Sequence, residues 1–286
     1  VASAADLVKR VRRRLRDWPE LDKTTASIAA GGVTLTVSDT TFPRYYPGSI
    51  VEVDYEVMIV QAVAGGTTLT VQRAARGSTD ASHPNGSTVL FDPAFTSMEI
   101  LDGINDGLDA LWPMFYQDVV DETTFLDPEI YEYTVPNVSV GQAIPIPRIH
   151  ELELRESGFT QFIPFHSVDI VRGATPKLRL KFSPPSGATL RIRGYAPLPH
   201  LAFTDSTFAQ LPYNADNLAA TYAAAMLLIA GEAGRVRHDL GPVDTREQAT
   251  RVGASAAAGR EWMRLFFQQR ADLAMPPLKP HVTLVT

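Results

Sequence analysis

Apolar and polar positions recur along this chain with two different periods, and each switch of period marks an element. From Ser3 to about Trp18, the residues Leu7, Val8, Val11, Leu15 and Trp18 return every three or four positions, as one face of an α-helix does. Ser3 and Asp6 form an S-x-x-D start that satisfies otherwise unpaired amide donors, and Pro19 ends the segment. A second helix is predicted over about Ser97 to Trp112, with Ile100, Leu101, Ile104, Leu108 and Leu111 as its stripe. A third runs from about Ala215 to Val236, with Leu218, Tyr222, Met226 and Ile229 in register. A fourth opens on the capping pattern of Asp244 and Glu247 and continues to about Leu273, with Val252, Ala256, Met263 and Phe266 or Phe267 inside.

Small residues qualify this helical reading. Gly103 and Gly107 weaken the second helix by roughly 1 kcal/mol each relative to alanine, a cost that makes sense where another backbone approaches closely. The third helix is rich in alanine and the fourth carries an all-small run from Gly253 to Gly259, so both are expected to pack at short range, as an antiparallel pair turning near Gly241 and Pro242.

Between the helices the period drops to two. Val33–Val37, Ile50–Val53, Glu56–Ala62, Thr68–Gln72 and Thr88–Leu90 read as short strands separated by glycine- and proline-bearing turns, which predicts a small barrel or sandwich. A second β region spans about Ile130 to Leu198 and ends in an expected hairpin. Lys177 to Phe182 alternates, Pro184-Pro185-Ser186-Gly187 turns, and Leu190 to Arg193 alternates back. With Leu178, Leu180, Phe182, Leu190 and Ile192 facing a core, Lys177, Arg179, Lys181, Arg191 and Arg193 fall together on the other face. That basic face is a candidate contact for an acidic neighbouring subunit or a DNA backbone, or a solubilising sheet face.

The expected architecture is therefore α+β: a helical bundle of about four helices carrying two antiparallel β insertions and an extended C-terminal tail. Residues 1–20, 94–120 and 208–275 would form the bundle, 21–93 a small barrel-like insertion, 121–207 a sandwich-like insertion, and 276–286 the tail. The prolines at 276, 277 and 280 forbid helix there. Pro276, Pro277, Leu278, Val282, Leu284 and Val285 are the candidate partner-docking residues, by packing back on their own domain or by adding a strand to another chain.

Composition narrows the function more by exclusion than by indication. With 286 residues, 45% hydrophobic and 20% charged, the chain has the balance of a folded protein. A net charge of −6 disfavours wholesale coating of nucleic acid. Lys9, Arg10, Arg12, Arg13, Arg14 and Arg16 crowd the first helix, where they form a solvated face or meet an acidic partner or DNA. No apolar signal segment follows them, and the run Ala223–Ala230 is far shorter than a membrane span, so an unexported chain without membrane contact is expected. The absence of cysteine excludes thiol nucleophiles, thiolate metal sites and disulfides.

The six histidines are scattered, and no H-E-x-x-H, glycine-rich nucleotide loop or G-x-S-x-G elbow occurs. Asp102, Asp106 and Asp109 share one helical stripe, a pattern that is usually solvated rather than metal-bound. Asp54 and Glu56 are the one carboxylate pair worth considering for hydrolysis, and a strand-edge or turn position suits them better. Neither an enzyme nor a bound cofactor is expected.

One stretch carries a resemblance. Gly48-Ser49-Ile50-Val51-Glu52-Val53-Asp54-Tyr55-Glu56-Val57-Met58-Ile59-Val60 leads through Leu69-Thr70-Val71-Gln72-Arg73 to Arg76-Gly77-Ser78-Thr79, His83 and Gly86-Ser87. This resembles a small β module that recurs in phage virion proteins. Ala74 departs from the pattern, which commonly has glycine there. The C-terminal half, from Arg193-Gly194-Tyr195-Ala196-Pro197 through the alanine-rich helix to Trp262 and Phe266-Phe267, is similar to the end of head-to-tail adaptor proteins of tailed bacteriophages.

The resemblance implies a structural virion protein of the neck, made in the host cytoplasm. It implies a homo-oligomeric ring, usually of twelve copies, that joins the portal protein to the stopper or tail. Such a ring extends the channel through which DNA passes without sequence specificity. Another phage tail or baseplate protein is the near alternative. A DNA-binding module using the basic hairpin from 177 to 193 is the alternative of a different class.

Overall fold

The computed structural model describes residues 3–17, 19–38, 45–135, 138–139, 143–144, 146, 148–171, 177–203, 214–238 and 254–276. The chain divides into two compact units. One contains Val1–Gly107, Leu201–Phe208 and Ala219–Phe266, and the other Leu108–His200, Ala209–Leu218 and Phe267–Thr286.

In the first unit, helix α1 (Ala4–Leu15) opens with the expected capping box: Asp6 N donates to Ser3 Oγ, and Ser3 N to Asp6 Oδ2, both at 3.1 Å. It ends earlier than the apolar spacing suggests, because Arg16 turns left-handed at φ 55° and returns its amide to the last carbonyls. A six-stranded antiparallel sheet follows, in the order β1-β6-β3-β4-β5-β2. Its strands are β1 (Glu20–Lys23), β2 (Thr34–Thr36), β3 (Ile50–Val53), β4 (Glu56–Ala64), β5 (Thr68–Gln72) and β6 (Thr88–Phe91). The sheet curls into a half-barrel. The chain leaving β1 meets the chain leaving β2 through the bridge between Thr24 and Val37, and Thr25 N donates to Thr36 O at 2.9 Å. Leu35, Val51, Val53, Met58, Val60, Leu69, Val71 and Val89 fill its interior.

Three longer helices complete the set: α2 (Ser97–Leu111), α3 (Ala215–His238) and α4 (Ala254–Asp272). The small residues do what their placement predicts. A Cβ added at Gly107 would lie 2.9 Å from Ala219 O and 3.0 Å from Ala219 Cα, so α2 and α3 run at backbone contact. Gly259 of α4 sits as close to Ala225 O, at 2.8 Å for an added Cβ, and Tyr222 meets Phe266 edge-on at 5.1 Å. The Asp244–Glu247 capping pattern and the Gly241-Pro242 turn lie outside the described residues.

The second unit is built from short strands: β7 (Gln117–Phe125), β8 (Glu132–Thr134), β9 (Val138–Ser139), β10 (Ala143–Ile144), β11 (Arg148–Arg155), β12 (Ile163–Pro164), β13 (Val168–Val171), β14 (Lys177–Leu180) and β15 (Thr189–Ala196). They form a four-stranded sheet β12-β11-β15-β7, a three-stranded sheet β13-β14-β8 and the pair β10-β9. Leu178, Leu180 and Val168 of the smaller sheet share one core with Leu190, Ile192 and Leu152 of the larger, as in a sandwich.

The expectation of a helical bundle with small β insertions is therefore wrong. Fifteen strands in four sheets, six of them in one half-barrel, stand beside four α-helices among the described residues. The physical reason is cumulative. A long helix announces itself by a sustained stripe, whereas strands of two to nine residues each give a faint signal yet together own two of the cores. The expected hairpin also fails, since β14 and β15 belong to different sheets. Pro184 and Pro185 supply no amide to a tight turn, and β15 instead pairs along its length with both β11 and β7.

Candidate functional site

The polar residues of the recurrent β module converge on one buried glutamate. The β3–β4 hairpin turns at Asp54 and Tyr55, both left-handed (φ 46° and 74°), and delivers Glu56 to the first position of β4. Arg73, just past the end of β5, donates through Nε to Glu56 Oε1 at 2.6 Å and through Nη2 to Oε2 at 2.7 Å. The amides of Ala74 and Ala81 add 3.2 and 3.1 Å contacts, and His83 Nε2 stands 2.8 Å from Oε2. Burial opposes ionisation of Glu56, but these donors from Arg73, His83, Ala81 and Ala74 outweigh it and hold the carboxyl at about 2.

Around that centre, Arg73 Nη1 also donates to Ala29 O at 3.1 Å and Gly32 O at 2.8 Å, tying in the turn before β2. Ser78 Oγ accepts from Val57 N at 2.9 Å and donates to Ala75 O at 2.9 Å. Ala74, the departure from the pattern, has φ 51°, in the left-handed region that explains why glycine suits this place. Asp54 and Glu56, considered for hydrolysis, do meet at one imidazole, with Asp54 Oδ2 3.2 Å from His83 Nδ1. The ring donates to both carboxylates only as the imidazolium. With both Glu56 oxygens already accepting, the arrangement is a clasp between strands and loops.

A second buried polar group lies on the outer side of β3. Val51 and Val53 point into the half-barrel, so Glu52 points the other way, where α1 and the start of α2 cover it. Arg12 Nη2 reaches Glu52 Oε2 at 3.5 Å and Ser97 Oγ at 3.1 Å, while its Nη1 pairs with Asp17. Ser97 N caps the same carboxylate oxygen at 2.8 Å. Burial pushes the Glu52 carboxyl up, and the bonds from Ser97 and Arg12 only partly offset it. Arg12 is thus not part of the solvated basic face expected of α1. Its position four after Val8 on the apolar stripe was the available signal. These groups and Lys9, Arg13 and Tyr55 line a cleft of about 450 Å³.

The predicted basic face is divided. Lys177 and Arg179 lie on β14 and both pair with Glu132 on β8, at 3.7 and 2.5 Å. Lys181 pairs with Asp169 at 3.1 Å. Arg191 and Arg193 lie on β15 in the other sheet. Arg191 binds Glu122 at 2.7 Å and Glu153 at 3.1 Å, and Arg193 shares Glu153 at 3.1 Å. Phe162 stacks on Arg191, with its ring centre 3.6 Å from the guanidinium carbon. Because both sheets bury their other faces in one core, the two basic groups look outward from opposite sheets. Phe182 is 39% exposed, outside that core.

Of the candidate docking residues, Pro276 accepts a hydrogen bond from Tyr116 Oη at 3.1 Å. Pro277, Leu278, Val282, Leu284 and Val285 lie outside the described residues. Two charged stripes stand out elsewhere. Lys9, Arg13 and Arg16 are exposed along α1 and its cap, and Asp102, Asp106 and Asp109 are exposed along α2. Asp109 accepts from His200 at 2.9 Å, whereas the other five make no ion pair among the described residues.

Among the described residues no cluster of three or more His, Asp or Glu side chains is arranged to hold a metal ion, and no helix is long and apolar enough to cross a membrane. No protein-family model matches the chain, and no curated protein matches it.

Proposed function

We propose that this chain is a structural protein of a tailed-phage virion, a ring-forming adaptor that joins portal to stopper or tail and lengthens the DNA channel. One observation carries the reading. The residues by which the segment resembles a virion β module, Glu56, Arg73, Ser78 and His83, are those that lock the half-barrel together. The likeness therefore falls on residues that hold one folding unit together. Close packing among α2, α3 and α4 would suit a subunit held in a ring.

The extent of sheet, fifteen strands in four sheets among the described residues, favours a second reading, another tail or baseplate structural protein. DNA binding by the basic strands has less support, since all five cations are in ion pairs with carboxylates. Phosphate contacts would have to displace those partners first.

Electron cryomicroscopy of the particle, with this chain located in the density, tests the proposal. A ring between portal and tail is the expected result. Density at the baseplate would transfer the assignment to the second reading, and absence from the particle would end both. The joining contact is assigned to the segment after Met275. Particles assembled with a chain lacking Pro276–Thr286 should accumulate as filled heads and free tails, and normal particles would overturn that part.

A further inference from the structure

We infer that neighbouring copies of this chain bind one another through α1 of one copy and α2 of the next. The inference rests on the proposed ring and names the surface that would close it. Lys9, Arg13 and Arg16 stand four and then three residues apart, and Asp102, Asp106 and Asp109 repeat the same two intervals. The anionic stripe therefore spans about 10 Å of helix axis, and Lys9 and Arg13 stand about 6 Å apart along α1, with Arg16 beyond them on the left-handed cap. One stripe is wholly cationic and the other wholly anionic, and all six side chains are exposed. Lys9, Arg13, Arg16, Asp102 and Asp106 have no ion pair among the described residues, in contrast to the cations of β14 and β15, each of which has one.

A second copy is the occupant that this pairing fits. A chain that carries both halves of a complementary pair on different helices makes a heterologous contact, in which every copy gives α1 to one neighbour and α2 to the other. Such a contact closes into a ring when the rotation between copies permits. A nucleic acid would satisfy α1 alone and would be repelled by α2. Exposed ion pairs are individually weak and screened by salt, so the contact should guide register and fade as ionic strength rises.

Natural cysteine is absent, so single-cysteine chains give a clean test. Full-length R13C and D106C chains, mixed at low salt and treated with a short bismaleimide, should give the mixed R13C–D106C dimer in clear excess over either like pair. The yield should fall roughly fivefold in half-molar salt. Adding K9E and R16E to the first chain should remove the product, and adding D102K and D109K to the second should bring it back. Circular dichroism of each variant guards against loss of fold, and the restoring pair keeps the result readable even if one variant is weakened. Equal yields for all pairings, indifference to charge reversal, or no mixed dimer at low salt would overturn the inference. A ring seen in the particle without this cross-link would remove the α1–α2 contact and leave the adaptor reading standing. A baseplate location would remove the adaptor reading whatever the cross-link shows.

Discussion

Arg73 grips Glu56 through two parallel hydrogen bonds, Nε to Oε1 at 2.6 Å and Nη2 to Oε2 at 2.7 Å, inside a half-barrel where both side chains are almost fully buried. A fork of this kind fixes direction as well as distance, and so it sets how β5 and the following loop lie against β4. Removing the Glu56 charge leaves the buried Arg73 with Asp80, whose Oδ1 is 2.8 Å from Nη2, as its remaining acidic partner. Glu56→Gln is expected to destabilise the fold by about 1–3 kcal/mol through the buried hydrogen bonds it weakens, measured by denaturant unfolding at neutral pH.

The same contact sets an acid limit. Glu56 is held at about 2 in the fold against an ordinary 4.5, so the unfolded chain takes up the proton first as pH falls. The stabilisation is complete above about pH 5 and is lost progressively toward pH 2, on the order of 3 kcal/mol in all. Unfolding free energies across that range should show this loss in the parent and its absence in Glu56→Gln.

Glu52, four residues earlier and equally buried, has its carboxyl shifted the other way. A raised carboxyl contributes stability at low pH that fades as pH rises through its folded value, because the buried anion is the costly form. Arg12 keeps Asp17 as a partner when Glu52 is neutralised. Glu52→Gln should therefore change stability at neutral pH by less than about 1 kcal/mol, short of the effect at Glu56. An equal loss at both positions would mean that the Arg12–Glu52 contact, at 3.5 Å, is far stronger than its geometry implies.

These glutamates also mark how far the sequence could be read. Strand β3 and strand β5 begin and end where the alternation places them, and the Ser3–Asp6 capping box and the close approach at Gly107 follow from local chemistry. The order of motif residues was visible, but not that Glu56, Arg73 and His83 meet, since that depends on strand register over some twenty-seven residues. Glu52 reads as the solvent side of an alternating strand, and only the covering of that side by α1 makes it buried. The partner choice of β14 and β15 was hidden for the same reason. Alternation tells which face of a strand is apolar and leaves open which strand lies beside it.

Ala74 offers a gain in stability. Its φ of 51° is a left-handed conformation that costs an alanine roughly 1 kcal/mol and a glycine almost nothing. Its amide bond to Glu56 Oε1, at 3.2 Å, does not depend on the side chain. Ala74→Gly should raise the unfolding free energy by about 0.5 kcal/mol once the greater freedom of glycine in the unfolded chain is counted. A decrease would mean that the Ala74 methyl group makes contacts worth more than the backbone strain.

Gly107 and Gly103, one helical turn apart on α2, should respond in opposite directions to alanine. In an open helix either change gains about 1 kcal/mol. At Gly103 the nearest neighbour of a new Cβ is the Ala223 Cβ at 3.4 Å, which needs only slight accommodation, so most of that gain should survive. At Gly107 the new atom meets the carbonyl oxygen of Ala219 at 2.9 Å and its Cα at 3.0 Å, and backbone cannot swing aside as a side chain does. Overpacking of that kind costs about 1–3 kcal/mol, enough to reverse the sign. Thermal unfolding of the two variants should place Gly103→Ala at or above the parent and Gly107→Ala below it. Equal shifts would imply that α3 can move away from α2, and the backbone contact would then be an accommodation rather than a constraint on how the helices pack.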